Sequence, residues 1–410
     1  MFAWDSKDEI AIWGIGYRGR KLYYRYRNKF KIRFFIDNFP MCKEIAGIPV
    51  VLPEEVLGNK IKILIAVDEY ADICMQCKHM GIFFYEDFLT WDFFEFHAID
   101  FLTLCYMVGK DVEKVFKRMI YGKKTVIVIG NCQIANIKKL MKGSNEFLKD
   151  YIFVDIPAIH MLKLEEENLL KENCFIFEMA SLVITQYISE NNAFSEFLST
   201  KSVRNMVGKG TKVVVIPTLY FDIYFPQTIH QKCKNRILED VKILSFPYGD
   251  FVLDELSDKY SAVDVVKIVK DIDIFSYDFL SWFYEYRIKE LLKRDAECDI
   301  QIMDYILKNY RKTLLFYSKN HPDNCVLIEL TKRLLEYLGY RDFNPENIFI
   351  PQLDEWQEII YPSVARFLEL EFSKETYRDA AIDERYDLEG AVKNYISYIQ
   401  DEWTREDYND

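Results

Sequence analysis

Apolar and polar positions follow two alternating patterns along residues 9–100. Runs of consecutive apolar residues indicate buried strands, and apolar residues spaced about three or four apart indicate helices. Such alternation predicts a parallel sheet with crossover helices, which we assign to residues 1–100. The predicted strands are EIAIWGIG, KIRFFIDN, IPVV, KIKILIAV and IFFYEDF, and the predicted helices are RGRKLYYRYRNKF, one opening at Pro53, and ADICMQCKHMG.

The pattern changes twice after residue 100. Residues 101–123 are predicted to form a helical connector, and a second α/β unit starts at Thr125. Long amphipathic helices follow from about residue 251, and the charged tail 374–410 is predicted to be a surface helix. The predicted fold class is α/β: an N-terminal Rossmann-like parallel-sheet module, then a second α/β domain at 124–373 with a large helical C-terminal part. Predicted strands of this domain are 125–129, 151–155, either 174–178 or 181–185, 211–216 and 242–246.

Composition narrows the class of protein. Of its 410 residues, 31 are Phe and 28 are Tyr, so the chain can bury large cores. A count of 53 basic and 65 acidic residues gives a net charge of −12, which argues against nucleic acid as a partner. The sequence starts without an apolar signal core, and no apolar run reaches the ~18 residues of a membrane span. Nine cysteines without framework spacing favour a cytoplasmic location, with peripheral membrane association left open.

A glycine-rich turn follows the first predicted strand. Gly14, Gly16 and Gly19 have the spacing GxGxxG, and Asp37 ends the next strand. Glycines let a phosphate approach the helix N-terminus, and an acid at this place can hold a ribose hydroxyl. With FFIDN and GIPVVLPEEV, the turn resembles a Rossmann-like module that recurs fused to sugar-modifying enzymes. The resemblance implies a nucleotide or nucleotide-sugar ligand, with Arg18 and Arg20 nearby for phosphates; an inert scaffold or docking module is the preferred alternative.

A second motif invites a metal interpretation. Cys74 and Cys77 form a CxxC pair with His79 close by. A structural zinc site needs four ligands, and no second CxxC lies at a suitable spacing. We therefore predict two buried helix cysteines and no metal site.

The sequence TVIVIGNCQIANIKKL places a cysteine where a predicted strand meets a helix. Open α/β sheets bind ligands at the carboxyl ends of their strands. A thiol at a helix N-terminus experiences the helix dipole, which favours the thiolate of Cys132. Gly130 permits the sharp turn, and Asn131 and Gln133 supply amide donors for an oxyanion or a carbonyl. The alternative is that Cys132 is a buried structural cysteine.

A thiol nucleophile needs a base, and the chain has five histidines. His79 and His97 belong to the N-terminal module, and His230 lies in a polar loop. His160 follows a strand of the second unit and is a candidate. His321 is the preferred one, because Asn320 and Pro322 fix its loop directly before a long helix. Its alternative role is that of a turn or cap residue.

Several ordered motifs resemble one family. They are IGNCQ, SLVITQYI with Gln186, VVVIPTLYFDIYFPQ, FPYGDFVLDEL, the Asn320-His321-Pro322 tripeptide and WQEIIYPSVARFLELEF. Together they resemble the WcbI-type polysaccharide-biosynthesis acetyltransferases of bacterial capsule pathways, over roughly residues 124–373.

The resemblance implies an α/β fold, coenzyme A binding and acyl transfer to a sugar. Carried over by motif, Cys132 is the active-site cysteine and His321 the acid/base. Gly130, Asn131, Gln133, Gln186 and Asn320 are the implied substrate- or coenzyme-binding residues. The arrangement is also similar to serine-based GDS hydrolases. Those have an Asp three residues before their histidine, where this chain has Ser318, so the orienting acid is left open between Asp323 and another residue.

The resulting hypothesis is an acyltransferase that moves an acetyl or similar group from acyl-coenzyme A to a sugar or glycan acceptor. Either Cys132 carries the acyl group, or His321 activates the acceptor for direct attack. Two alternatives of other classes remain: a cysteine-based esterase that acts on glycans, and a non-catalytic scaffold for glycan assembly.

Overall fold

A computed structural model describes most of the chain. The described residues are 4, 8–56, 61–67, 70–83, 86–96, 98–120, 123–229, 234–238, 241–246, 248–346, 348, 350, 352–354, 357–374, 376–379 and 384–400. Up to residue 100 the elements are β1 (Glu9–Trp13), α1 (Tyr17–Tyr26), β2 (Lys31–Ile36), β3 (Glu44–Ile45), β4 (Ile48–Val51), β5 (Lys62–Ile65), α2 (Ala71–His79), β6 (Phe88–Thr90), α3 (Trp91–Phe96) and β7 (Ala98–Asp100).

The middle of the chain alternates helices and strands. Its elements are α4 (Phe101–Val108), α5 (Val112–Met119), β8 (Lys124–Ile129), α6 (Gln133–Met141), α7 (Asn145–Asp150), β9 (Tyr151–Asp155), α8 (Leu164–Glu172), α9 (Phe175–Met179), β10 (Leu182–Gln186), α10 (Thr200–Met206) and β11 (Lys212–Ile216).

The rest of the chain is mainly helical, with short strand pairs. Its elements are β12 (Thr228–Ile229), β13 (Lys234–Leu238), β14 (Val241–Phe246), β15 (Gly249–Asp250), α11 (Phe251–Ser257), α12 (Ala262–Asp271), α13 (Tyr277–Ala296), α14 (Met303–Asn309), β16 (Phe316–Ser318), β17 (His321–Pro322), α15 (Asn324–Leu338), α16 (Pro362–Phe367), β18 (Tyr377–Asp379), β19 (Glu384–Tyr386) and α17 (Leu388–Gln400).

The chain forms two compact units that each combine distant stretches of sequence. Unit 1 contains residues 1–129 and 145–213, and unit 2 contains residues 130–144 and 214–410. The domain boundaries proposed from the sequence, at about residues 100 and 124, stay a prediction. Among the described helices, none is long and apolar enough to cross a membrane.

Two sheets organise the α/β part. The first has the strand order β3-β4-β2-β1-β5-β6, and all its described pairs are parallel except β3 with β4. The second has the order β11-β10-β8-β9-β7, and β8 pairs in parallel with both β10 and β9. Parallel strands with both faces covered explain the continuous apolar runs along the sequence. The predicted α/β class is confirmed.

Three sequence predictions need correction. The tail 374–410 was predicted to be a surface helix, but it contains the strand pair β18–β19, and α17 buries Val392 and Ile396. IFFYEDF was predicted as a strand, but β6 begins only at Phe88, the last residue of that stretch. Of the alternatives 174–178 and 181–185, the second is correct: β10 spans Leu182–Gln186, while Phe175–Met179 is helical. Phe175 packs its ring edge-on against Phe101 and Phe116, so burial of this apolar run does not require a strand.

In unit 2, α6 packs against α15. The apolar face of α6 is buried, with Ile137, Leu140 and Met141 fully enclosed. α15 presents Leu327, Leu330 and Leu334, which are also fully buried. This pairing fixes the direction of α6 within unit 2, and therefore the position of the residues at its N-terminus.

The motifs FPYGD and IYPSV meet at one buried carboxyl group in unit 2. Asp250 accepts hydrogen bonds from the N–H groups of Val252 and Leu253, both at 3.0 Å, and so caps α11. The Tyr361 hydroxyl donates to the same carboxyl group at 3.0 Å. The Asp250 N–H donates to the Tyr395 hydroxyl at 2.8 Å, which ties α17 to this core. These two motifs therefore have a structural role.

Candidate functional site

Cys132 lies in the connection between β8 and α6. It is the N-cap residue of α6 and is half-buried. Asn131 Oδ1 accepts the Gln133 N–H at 3.0 Å, and the Asn131 carbonyl accepts the Ile134 N–H at 3.1 Å. An Asx turn of this kind fixes the backbone at the helix start. The predicted placement of the thiol at the first turn of a helix is correct.

Gln133 joins this turn to two distant loops of unit 2. Its side chain is fully buried. Nε2 donates to the carbonyl oxygens of Leu219, at 2.8 Å, and Asn320, at 2.7 Å. Oε1 accepts the Leu219 N–H at 3.0 Å. Since a primary amide has two N–H donors, both are used. Gln133 thus holds the residue next to Cys132 against the residue next to His321.

His321 lies in a short antiparallel ribbon rather than in the predicted polar loop. Ser318 of β16 is opposite His321 of β17, and the histidine is 4% exposed. The sequence predicted a rigid polar loop and missed the ribbon, because the ribbon depends on pairing between Phe316 and Pro322, which has no local signal. The position directly ahead of a long helix was predicted correctly, since α15 starts at Asn324.

Asp323, one candidate for the acid that orients His321, caps α15. Its Oδ1 accepts the Cys325 N–H at 2.9 Å, and its Oδ2 accepts the Tyr317 hydroxyl at 2.7 Å. Its own N–H donates to the Leu315 carbonyl at 2.8 Å. These bonds fix the backbone on both sides of the ribbon and account for a carboxylate at this position.

A buried group of charges holds the residues just before His321. We call it the Lys319 cluster: Lys319, Glu358, Lys374, Asp222 and Arg287. The Lys319 N–H donates to Glu358 Oε2 at 2.7 Å, and the Glu358 N–H donates to the Tyr317 carbonyl at 2.9 Å. Burial raises the pKa of Glu358 and lowers that of Lys319. Burial also lowers the pKa of Lys374 to about 7, against the attraction of Glu358.

Glycine conformations and the Asp37 carboxylate define the glycine turn of unit 1. Gly14 has φ +118°, and a Cβ on Gly19 would lie 1.9 Å from the Gly14 carbonyl oxygen, so both positions require glycine. A Cβ on Gly16 would meet no atom within 4 Å. Asp37 accepts the N–H groups of Ile15, at 3.3 Å, and Phe39, at 2.9 Å. Nucleotide or nucleotide-sugar binding here stays a prediction.

Both arginines of this turn make local contacts, and their role in phosphate binding stays a prediction. The Arg18 guanidinium lies over the Trp91 ring, 3.6 Å from its centroid. Arg20 Nε donates to the Ile15 carbonyl at 3.0 Å. Cys74 and Cys77 are fully buried, as predicted, and burial raises the pKa of Cys77 to about 12.

The remaining predicted site residues lie in unit 1 or outside the described chain. Gln186 ends β10 in unit 1 and is buried, and its carbonyl accepts the Thr200 hydroxyl at 3.3 Å. Its role as a site residue stays a prediction. His160 is also in unit 1, edge-on to Phe194. His97 and His230 lie outside the described residues.

A family model described as polysaccharide biosynthesis enzyme WcbI matches residues 125–342, just over half of the chain. The chain belongs to the WcbI family. The matched range contains both Cys132 and His321 and ends before the WQEIIYPSVARFLELEF segment. The N-terminal glycine turn also lies outside it.

A solved structure shows the same fold. It is described as WcbI, a novel polysaccharide biosynthesis enzyme, as the native protein without a disulfide bond between coenzyme A and a cysteine. The TM-score is 0.55 at 18% sequence identity, and the alignment covers 67% of this chain and 89% of that chain. Among curated proteins, none matches the chain. Membership of the WcbI family supports a role in polysaccharide biosynthesis.

Sequence reasoning missed three features of unit 2. These are the Leu219 backbone that binds Gln133, the buried Lys319 and the carboxylate of Glu358. Each falls inside a quoted motif or beside one: PTLYFD, the Asn320-His321-Pro322 tripeptide and WQEIIYP. The motifs were therefore a usable signal for position, although they do not reveal which side chains are buried.

Proposed function

We propose that this chain transfers an acetyl or similar acyl group from acyl-coenzyme A to a sugar hydroxyl or amine in the assembly of a bacterial capsular or surface polysaccharide. The observation that carries the proposal is the pair of hydrogen bonds that the Gln133 side chain donates to the carbonyl oxygens of Leu219 and Asn320. It sets the Cys132 turn beside the His321 ribbon within unit 2. Cys132 has a half-buried thiol and His321 a buried imidazole, and each directly adjoins one end of this link. Such a pair suits nucleophilic chemistry on a thioester.

In the first route, Cys132 carries the acyl group. Its thiolate attacks the thioester carbonyl carbon, the carbon–sulfur bond to coenzyme A breaks, and the coenzyme A thiolate leaves. The acceptor hydroxyl then attacks the new thioester on Cys132 while His321 takes its proton. Cys132 leaves as thiolate, and His321 then passes its proton to the solvent or to the released coenzyme A thiolate, which restores the starting enzyme.

In the second route, no acyl-enzyme forms. His321 takes the proton of the acceptor as its oxygen or nitrogen attacks the thioester directly, and coenzyme A leaves as the thiolate. Cys132 then faces the carbonyl oxygen at the N-terminus of α6, where the helix dipole favours developing negative charge. Both routes use the same two side chains and differ in the covalent intermediate.

The donor is expected to be acyl-coenzyme A for two reasons. The solved WcbI structure is described in terms of coenzyme A and a cysteine. In this chain the candidate cysteine is Cys132, which lies in the turn between β8 and α6. The described cysteines are all free thiols, which suits a reaction in the cytoplasm, where acyl-coenzyme A is available.

Intact-mass measurement after incubation with acetyl-coenzyme A separates the two routes. An added acetyl group that disappears in Cys132→Ser supports the first route. Cys325→Ser is the matched control, because Cys325 is also half-buried in the first turn of a helix. Burial and Asp323 raise the pKa of Cys325 to about 12, so it should not react.

The function itself is tested by release of free coenzyme A in the presence of sugar acceptors. The proposal predicts release that depends on the acceptor and is lost in Cys132→Ala with His321→Ala. Undiminished release in the double variant would overturn the assignment of the site. Acceptor-independent release of an acyl group from a glycan, without stabilisation by coenzyme A, would instead identify an esterase.

A further inference from the structure

Lys319, which directly precedes Asn320 and His321 in the chain, has an almost fully buried side chain. The residue is 3% exposed, and its Nζ lies 3.7 Å from the centroid of the Tyr248 ring. Among the residues that the structure describes, no oxygen accepts a hydrogen bond from this ammonium, and no carboxylate forms an ion pair with it. An ammonium group has three N–H donors, and one aromatic face does not satisfy them.

The carboxylates around Lys319 are engaged elsewhere. Asp222 pairs with Arg287, with Nε 2.8 Å from Oδ2. Glu358 accepts the Thr228 hydroxyl at Oε1 and the Lys319 backbone N–H at Oε2. The other buried ammonium of the cluster, on Lys374, donates to the Glu358 carbonyl at 2.8 Å. Lys374 is therefore partnered, and Lys319 is the cation whose donors remain available.

An ammonium on a buried side chain without an oxygen acceptor is costly, because its N–H donors lose hydrogen bonds to water. Burial lowers the pKa of Lys319, Arg287 lowers it further, and Glu358 and Asp222 oppose this shift. An anion that binds beside Nζ would supply the missing acceptor. The lysine also directly precedes Asn320 and His321, so such an anion would lie at the reaction site.

We propose that Lys319 forms a subsite for an anionic oxygen group, a carboxylate or a phosphate, on a substrate of this enzyme. The inference deepens the proposed function, on which the word substrate rests. Two sources have this chemistry: the carboxylate of an acidic sugar acceptor and a phosphate of the acyl donor. A neutral sugar, or a donor fragment without phosphate, would not use the ammonium.

Two matched pairs of ligands test the subsite by binding to the full-length protein. Glucuronate and glucose differ in one carboxylate, and coenzyme A and pantetheine differ in the phosphates. Ligand-observed NMR or calorimetry gives the preference for the anionic member of each pair. The wild type should prefer the anion in one pair at least, and Lys319→Met should lower that preference about tenfold. The pair affected identifies the source.

Lys374→Met is the matched control, since it removes a buried but partnered ammonium from the same cluster and should keep the preference. Lys319→Gln is a second neutral variant in case Lys319→Met fails to unfold cooperatively. Equal preferences in the wild type and in either folded Lys319 variant, for both pairs, would overturn the subsite. Binding involves no turnover, so failure of acyl transfer would contradict the proposed function and leave this result standing.

Discussion

The Gln133 side chain donates a hydrogen bond of 2.7 Å to the carbonyl oxygen of Asn320, although the two residues are 187 positions apart in the chain. Each is the immediate neighbour of a predicted reactive residue, Cys132 in one case and His321 in the other. Because the amide is fully buried and its donors are used, it acts as a fixed link between the two turns.

Replacing Gln133 by Glu should damage both stability and activity. The carboxylate would place oxygens against the carbonyls of Leu219 and Asn320, which now accept from Nε2. Loss of buried hydrogen bonds of this kind costs about 1–3 kcal/mol, and a charged replacement costs more. Urea unfolding and coenzyme A release measure the two effects. Gln352→Glu, at an exposed position, should change neither stability nor coenzyme A release. Equal losses in the two variants would contradict the role of Gln133 as a link between the two turns.

Asp323→Asn distinguishes a helix cap from a catalytic acid. Asn also caps helices well, so stability should fall by less than about 1 kcal/mol. In Ser-His-Asp enzymes, the same change at the acid that orients the histidine costs about 10⁴ in rate. We expect a loss of activity below about tenfold, since Asp323 binds Tyr317 and the Cys325 N–H. A loss of several orders of magnitude would make Asp323 the orienting acid.

The pH dependence of stability should carry a contribution from Asp250. Burial raises its pKa from an ordinary 3.8 to about 7. Between these values the folded state holds a proton that the unfolded state releases, so this contribution to stability decreases as pH rises from 4 to 7. Its slope is at most about 1.4 kcal/mol per pH unit. Urea unfolding of wild type and Asp250→Asn across this range should show a difference that changes with pH; a constant difference would contradict it.

The glycine turn of unit 1 offers a matched pair. A Cβ at Gly19 would lie 1.9 Å from a backbone oxygen, whereas one at Gly16 would meet open space. Gly19→Ala should therefore destabilise the protein by at least about 2 kcal/mol, and Gly16→Ala should stay within about 1 kcal/mol. Thermal unfolding measures both. Similar losses of stability in the two variants would contradict the close approach of Gly19 to the Gly14 carbonyl oxygen.

Local patterns predicted the elements that carry Cys132, because an apolar strand, a glycine and an amphipathic helix follow one another in sequence. They did not decide between 174–178 and 181–185, since both runs are apolar and only one joins the sheet. The ribbon around His321 and the two hydrogen bonds donated by the Gln133 side chain depend on contacts between residues far apart in the chain. The sequence predicted that the Gln133 amide donates hydrogen bonds to a substrate or coenzyme. In the structure this amide donates to the backbone carbonyls of Leu219 and Asn320.

Lys319 shows a further limit of sequence reasoning. A lysine in the polar segment SKNHPDN has the pattern of an exposed turn, and its burial follows from Glu358 and Tyr248, which come from other parts of unit 2. The family resemblance located the segment correctly but carried no information on this side chain. The burial of Lys319 is visible only in the structure.

The most direct test of the account is a crystal structure of the full-length protein soaked with coenzyme A under reducing conditions. The account predicts that the sulfur of coenzyme A lies against the Cys132 side chain, on the side of the His321 ribbon. Coenzyme A bound elsewhere, with its sulfur away from both residues, would contradict the claim that they form an acyl-transfer site.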